Sequence, residues 1–232
     1  MKNLILFGAT GALGSSIALK FESQGWKVTS IGRSGLNSDC HVVWDPLQKI
    51  DNNALNILAN LEPFDSVCWA QGMNLNDSIY SYDKESHEQI YRVNVIYILE
   101  SLKFLLENNL VKKPSKFCVL SSIWQNLSKK NKLSYSITKS ALQGLVLSLS
   151  NDMAKDGHLF NAVLPGAIES PMTRENLSSE QIHNIEEATQ FGRLASLKDV
   201  SNSVYFLCSK NNTGITGNFV KTDLGFSNVR NI

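Results

Sequence analysis

The sequence lacks a long hydrophobic run, a paired cysteine motif, abundant proline and any sizeable net charge. Each absence closes off a class. No window approaches eighteen uninterrupted apolar residues, so no transmembrane helix is expected. Met1-Lys2-Asn3-Leu4-Ile5-Leu6-Phe7 is too short an apolar run for a signal peptide and continues directly into a glycine motif. Cys40, Cys68, Cys118 and Cys208 form no Cys-x-x-Cys pair, and no histidine lies at metal-ligand spacing from them. They are expected to be reduced thiols in a cytoplasmic protein, with no metal site. Twenty-two basic residues against 21 acidic ones leave +1, which gives no bulk attraction to nucleic acid or to an anionic membrane. Five prolines and 14 glycines in 232 residues argue against a linker-dominated chain. What remains is 43% hydrophobic residues, enough for the core of one large domain.

Short apolar runs alternate with longer segments of helical period. Residues 4–7, 27–31, 41–44, 66–70, 117–120, 160–164 and 219–220 read as buried strands. Residues 15–24, 53–61, 84–108, 136–154 and 197–209 read as helices. This alternation predicts βαβ units: a doubly wound, three-layer α/β fold with a parallel sheet of about seven strands in a single domain. Residues 167–190 are polar and carry five glutamates. That stretch reads as either a substrate lid or a solvated surface helix.

The first strand runs into Gly8-Ala9-Thr10-Gly11-Ala12-Leu13-Gly14, and a helix follows from Ser15. Three glycines at this spacing serve a tight turn, a close backbone approach to pyrophosphate, and close helix–strand packing. The helix start offers free N–H groups and a positive dipole end. Between strand and helix, the motif reads as a dinucleotide cradle, with Thr10 and Leu13 as further contacts. An NAD site usually places an acidic residue about 20 residues further on. None occurs between Glu22 and Asp39, and the second strand ends Ile31-Gly32-Arg33-Ser34. Arg33 suits a 2′-phosphate through forked, charge-assisted contacts, and Ser34 adds a hydroxyl. NADP(H) is therefore expected over NAD(H).

Tyr-x-x-x-Lys occurs twice, as Tyr80…Lys84 and Tyr135…Lys139. Such a spacing arises readily by chance, so context must choose. Tyr135…Lys139 opens a long helix and has Ser122 thirteen residues upstream, at a strand end; Tyr80 has Val67 at that offset. Positions i and i+4 share a helix face, so Tyr135 and Lys139 can point into one pocket. A free tyrosine titrates near pH 10. A neighbouring ammonium favours the phenolate and fits Tyr135 for proton exchange with a carbonyl or alcohol oxygen. Ser122 can hydrogen-bond that same oxygen.

With these motifs in order, the sequence resembles the short-chain dehydrogenase/reductases of the compact, single-domain type, including the 3-oxoacyl-[acyl-carrier-protein] reductases. The resemblance spans nearly the whole chain. It takes in Asn94 of Val93-Asn94-Val95, the trio Ser122, Tyr135 and Lys139, and Asn161 to Gly166 followed by Ile168 and Met172-Thr173. It extends to Gly192-Arg193-Leu194 with Asp199, and to Ile215-Thr216-Gly217 with Asp223. It implies a hydride-transferring oxidoreductase with Tyr135 as general acid/base. Lys139 would bind the nicotinamide ribose and lower the Tyr135 pKa, Ser122 would orient the substrate oxygen, and Asn94 would hold a water. It also implies cofactor contacts at Asp45, Ala70, Gly72, Pro165, Gly166, Ile168 and Thr173. The family pairs subunits through the helices of residues 90–106 and 141–149, so a homodimer or homotetramer is expected.

Departures from the pattern are Phe7 before the first glycine, Ala12 within the turn, Trp69-Ala70-Gln71-Gly72 after the fourth strand, and Asp223-Leu224-Gly225 near the end. The glycine spacing itself leans toward the extended members. A sugar-nucleotide epimerase or dehydratase and a catalytically idle dinucleotide sensor are therefore the competing readings. The first lacks its extra domain here, and the second would have lost the Tyr or the Lys.

Lys129, Lys130 and Lys132 lie between Ser122 and Tyr135, and Arg174 follows Thr173. They could guide an anionic or carrier-bound substrate, but a solvated lysine loop is the preferred reading. Trp69 is expected to pack near the cofactor. His41, His87, His158 and His183 show no evident partner.

Overall fold

The computed structural model describes residues 1–35 and 40–229. Seven parallel strands form the sheet: β1 (Asn3–Phe7), β2 (Lys27–Gly32), β3 (His41–Val43), β4 (Phe64–Trp69), β5 (Val111–Leu120), β6 (Leu159–Pro165) and β7 (Phe219–Thr222). Their spatial order is β3-β2-β1-β4-β5-β6-β7. The predicted doubly wound architecture is present, with the strand order reversing between β1 and β4.

The strand residues divide between two cores with a period of two, as a sheet buried on both faces requires. Ile5, Phe7, Val67, Trp69, Phe117, Val119, Phe160 and Ala162 face one way. Leu4, Leu6, Cys68, Cys118, Leu120 and Val163 face the other. Helices α1 (Ala12–Glu22) and α8 (Leu197–Cys208) cover the second face through Ile17, Phe21, Val200, Val204 and Leu207. The first is covered by α2 (Asn52–Ala59), α4 (Tyr97–Glu107) and α5 (Leu133–Asp152). No helix among the described residues is long and apolar enough to cross a membrane.

Four differences from the sequence reading matter. The segment expected as one helix over 84–108 is α3 (Lys84–Tyr91), a π-helical turn at Arg92–Ile96, and α4. Periodicity cannot register one inserted residue, and such π-turns gather at functional sites. Strand β5 begins at Val111 rather than Phe117, because Lys112, Lys113 and Pro114 broke the apolar pattern. Residues 167–190 fold as two short helices, α6 (Pro171–Asn176) and α7 (Ser179–Glu187), the second opened by a Ser178/Gln181 capping box. Trp69, expected to pack near the cofactor, is built into the hydrophobic core. It is 1% exposed, stacks between Phe7 and Phe160 at 5.8 Å each, and donates its indole N–H to Ser101 Oγ at 2.8 Å.

Candidate active site

In a parallel sheet, ligands collect beyond the carboxyl ends of the strands, where the strand order reverses. Every site residue taken from the sequence lies at that edge or on the helices above it. Gly8 follows β1, Arg33 follows β2, Asp45 follows β3, Ala70 and Gly72 follow β4, and Ser122 follows β5. Pro165 ends β6 and Gly166 follows it.

The three glycines of the first turn have distinct geometry. Gly8 has φ +79°, and a Cβ there would lie 2.5 Å from the Gln71 backbone nitrogen. A Cβ on Gly14 would lie 2.1 Å from the Gly8 carbonyl oxygen, so only glycine lets α1 pack this close. Gly11 is different: its Cβ would meet nothing nearer than 3.7 Å. It is the N-cap of α1, with no side-chain cap and no acidic residue in the first turn. That leaves free N–H groups and uncompensated positive dipole beside an open backbone, which fits a pyrophosphate. Thr10 is exposed at the turn, and Leu13 anchors it by packing against the core. Gln71 adds a signal that the sequence did not carry. Its side-chain amide is shielded from solvent, with neither atom hydrogen-bonded among the described residues. A shielded amide without partners beside the turn is a ready contact for a bound dinucleotide.

At the far end of the cradle, Arg33 and Ser34 are exposed. His41 is not idle. Its Nδ1 lies 2.7 Å from Ser30 Oγ and its Nε2 2.8 Å from the Ser34 carbonyl, bracing the corner that presents Arg33. Asp45 and Arg33 both act on the buried Tyr97 phenol, whose pKa burial and Asp45 raise and Arg33 lowers. The ends of β2 and β3 therefore meet in one electrostatic neighbourhood.

The catalytic candidates converge at the start of α5. Tyr80 is 97% exposed, and Lys84 is occupied with Glu88 at 3.6 Å, which removes that pair. Tyr135 is part-buried, and its phenol lies beside Ser122, whose hydroxyl lowers its pKa. Ser122 Oγ also accepts from Trp124 N at 3.3 Å, fixing it at the end of β5. The Lys139 ammonium is buried, donates to the Leu120 carbonyl at 3.0 Å, and lies 5.7 Å from the Tyr135 ring centroid. Burial pushes Lys139 down to about 8. Burial also pushes the Tyr135 phenol up, with the Ser122 hydrogen bond pulling back. Burial is the larger of the two influences, so the phenol stands above the ordinary tyrosine value.

Asn94 sits in the π-turn. Its Nδ2 donates to the Met73 carbonyl and to Thr138 Oγ1, both at 3.0 Å, while Oδ1 accepts from Met73 N at 2.8 Å. Both amide hydrogens are spent on protein, so the side chain is a staple between the loop after β4 and α5. A Cβ on Gly72 would lie 3.6 Å from Asn94 Oδ1 and 3.7 Å from Lys139 Nζ, which places the loop against that lysine.

On the other flank, a Cβ on Gly166 would come within 2.7 Å of Asp223 Cβ. Ile168 is buried and bridges to Ala195. Thr173 hydrogen-bonds its N-cap Ser170, N to Oγ at 3.2 Å. The Met172 side chain lies outside the described residues. The remaining histidines also have partners: Ser134 Oγ for His87 at 2.8 Å, Ser115 N for His158 at 3.0 Å and Glu187 for His183 at 3.2 Å. The partners of His87 and His158 come from distant elements, which no local pattern announces, whereas Glu187 stands one turn along the same helix as His183.

Comparison with known proteins decides the family. A family model described as enoyl-(acyl carrier protein) reductase matches residues 47–227. The chain belongs to the short-chain dehydrogenase/reductase family. The 3-oxoacyl-[acyl-carrier-protein] reductase of Aquifex aeolicus is 29% identical, over 95% of this chain and 95% of that protein. The NADP(+)-dependent L-rhamnose 1-dehydrogenase of Thermoplasma acidophilum is 25% identical, over 97% and 95%. The NADP-bound structure of ElxO superposes with a TM-score of 0.86 at 21% identity, covering 97% of this chain and 98% of that one. As a short-chain dehydrogenase/reductase, the protein is an oxidoreductase of a family that binds a nicotinamide dinucleotide.

Proposed function

We propose that this short-chain dehydrogenase/reductase is an NADP(H)-dependent reductase of a small carbonyl compound to a secondary alcohol. The observation that carries the reading is the placement of Tyr135 beside Ser122, with the buried Lys139 ammonium 5.7 Å from its ring. The nicotinamide supplies the hydride. The protein does the rest. The substrate carbonyl oxygen sits between the Tyr135 and Ser122 hydroxyls and takes two hydrogen bonds as its negative charge develops. Tyr135 then gives up its proton, so that one hydride and one proton convert C=O to CH–OH. The phenolate left behind is stabilised by Lys139, which also suits the nicotinamide ribose.

Gly8, Thr10, Gly11, Leu13 and Gly14 would hold the dinucleotide, with Arg33 and Ser34 meeting a 2′-phosphate and Asp45 the adenine. Ala70, Gly72, Asn94, Pro165, Gly166, Ile168 and Thr173 complete its bed. Support for NADP(H) is the exposed Arg33 braced by His41, with no acidic residue at the end of β2. Residues 167–190, now α6 and α7, form the substrate lid of a single domain. The buried thiols Cys68, Cys118 and Cys208 fit a cytoplasmic compartment. Exposed Leu99, Leu106 and Leu147 on α4 and α5 suit a symmetric homodimer or homotetramer.

The test is consumption of NADPH and NADH with a panel of ketones, for the wild type and for Tyr135→Phe and Arg33→Ala. Turnover with NADPH, at least about a hundredfold slower in Tyr135→Phe, is expected. Arg33→Ala should narrow the preference for NADPH over NADH. Full turnover in Tyr135→Phe, or equal use of both dinucleotides by the wild type, overturns the corresponding half.

A further inference from the structure

Of the three loop lysines, Lys129 and Lys130 are exposed, as a solvated loop predicts, but Lys132 is not. It is 8% exposed, and its ammonium donates to Asn74 Oδ1 and Asn76 Oδ1 at 2.6 Å each. Asn74 and Asn76 stand two apart in an extended loop, so their side chains project to the same side. The same ammonium lies 5.3 Å from the Tyr135 ring centroid, as near as Lys139 on its own path.

Among the described residues no carboxylate lies within ion-pair distance of this cation; Asp77 favours its charge only from a distance. Asp77, the acid of its neighbourhood, is spent on Ser134, accepting from both its backbone N–H and its hydroxyl. Lys132 is also the N-cap of the 20-residue helix α5, a position whose dipole favours an anion. Lys129 adds a further positive charge, and with burial it holds the Lys132 pKa down to about 8. A buried ammonium carries three hydrogens, and the asparagine oxygens take two. Neutral oxygens solvate a cation without neutralising it, and a buried charge with no counter-ion in contact is costly. Arg174 is not a rival anion receptor, because both its Nε and an Nη are held by Glu169 at 2.7 Å.

We propose that Lys132 is a substrate-recognition residue and that the substrate is an oxo acid, with its carboxylate a few bonds from the carbonyl being reduced. The proposal rests on the reductase reading above. A carboxylate would supply the missing counter-ion and take the third hydrogen, while the carbonyl oxygen occupies Ser122 and Tyr135. The short separation of Lys132 from Tyr135 selects a carboxylate close to the reacting carbon. The phosphate of a carrier-bound thioester is separated from its carbonyl by the whole pantetheine arm, and does not fit this span.

The test gives the wild-type protein NADPH with matched oxo acids and their methyl esters, the carboxylate one to three carbons from the carbonyl, and one pantetheine thioester. The expected result is a kcat/KM for the preferred acid at least about tenfold above its ester, the lower end of a charge-assisted hydrogen bond. In Lys132→Gln the ratio of acid to ester collapses toward one, whatever the absolute rates; Lys132→Arg keeps most of it. A wild-type ratio near one, or a preference for the thioester, overturns the proposal and leaves the reductase reading standing. So does a Lys132→Gln variant in which both rates fall together, since Lys132 would then merely tie the loop to α5. If no substrate oxidises NADPH, the reductase reading fails instead. Calorimetric titration of the wild type with the hydroxy acid and its ester then decides for Lys132 alone: selective binding of the acid upholds the proposal, and equal or absent binding overturns it.

Discussion

Gly11 and Gly14 look alike in the sequence and serve opposite ends. At Gly14 an added methyl would drive into the Gly8 carbonyl at 2.1 Å, and backbone cannot move aside cheaply. Gly14→Ala is therefore expected to lower stability by about 3 kcal/mol or to prevent folding, by overpacking. Gly11→Ala meets ordinary contact distances and keeps its negative φ of −78°. It should cost less than about 1 kcal/mol in stability while sharply weakening dinucleotide binding, since the methyl points where phosphate would approach. Thermal melts with and without NADPH separate the two effects. Lys139 makes a second residue-scale case. Its pKa is held at about 8 in the fold, below the ordinary lysine value of 10.5. Between those values the unfolded chain holds more protons, so this group makes stability rise with pH across that window and is unfavourable below it. Lys139→Met should accordingly melt higher than wild type at pH 7, by roughly 1 kcal/mol of stability after losing its bond to Leu120. It should also show a flatter rise from pH 8 to 10.5, and be inactive. A variant that melts lower at pH 7 would refute the assigned cause.

At the level of elements, the π-turn at Arg92–Ile96 does the joining. It turns Asn94 away from the sheet and into three hydrogen bonds with Met73 and Thr138, so one side chain connects the loop after β4 to α5. Asn94→Ala removes all three and leaves buried partners unsatisfied. A loss of about 2–3 kcal/mol is expected in chemical denaturation, together with slower turnover from a displaced Lys139. Stability within about 0.5 kcal/mol of wild type would show the staple to be slack. This element also marks where sequence reading stopped. The seven strands were visible because each carries a short apolar run, and α5 because its period is long. The break in the helix over 84–108 was not visible, since one extra residue in a turn barely shifts a hydrophobic period. The burial of Lys132 escaped for a related reason: Asn74 and Asn76 lie more than fifty residues away, and no local pattern announces them. Ser122, Tyr135 and Lys139 were legible because their spacing is itself local, thirteen residues and then one helix turn.

On the scale of the whole molecule, the alternation of strand side chains fills both faces of the sheet with core. The residues scattered from Gly8 to Thr173 accordingly gather along its carboxyl edge and the helices above it. The outer faces of α4 and α5 retain Leu99, 41% exposed, and Leu147, 49% exposed, beyond what the sheet beneath them requires. Sedimentation equilibrium should therefore report a dimer or tetramer, and the double variant Leu99→Glu, Leu147→Glu should move it toward monomer. A wild-type monomer at micromolar concentration would refute the pairing.

The contact between Gly8 and Gln71 has a consequence for anyone who rebuilds this enzyme. The turn after β1 and the loop after β4 touch backbone to backbone there, so that neither can accept a side chain or a shift without the other. The partition falls just past Gln71. Up to that residue the chain is shared architecture. From Gly72 to Ser78 it is tied instead to Asn94, Lys132 and Ser134, so a transplanted substrate loop must begin after Gln71 and bring those partners with it.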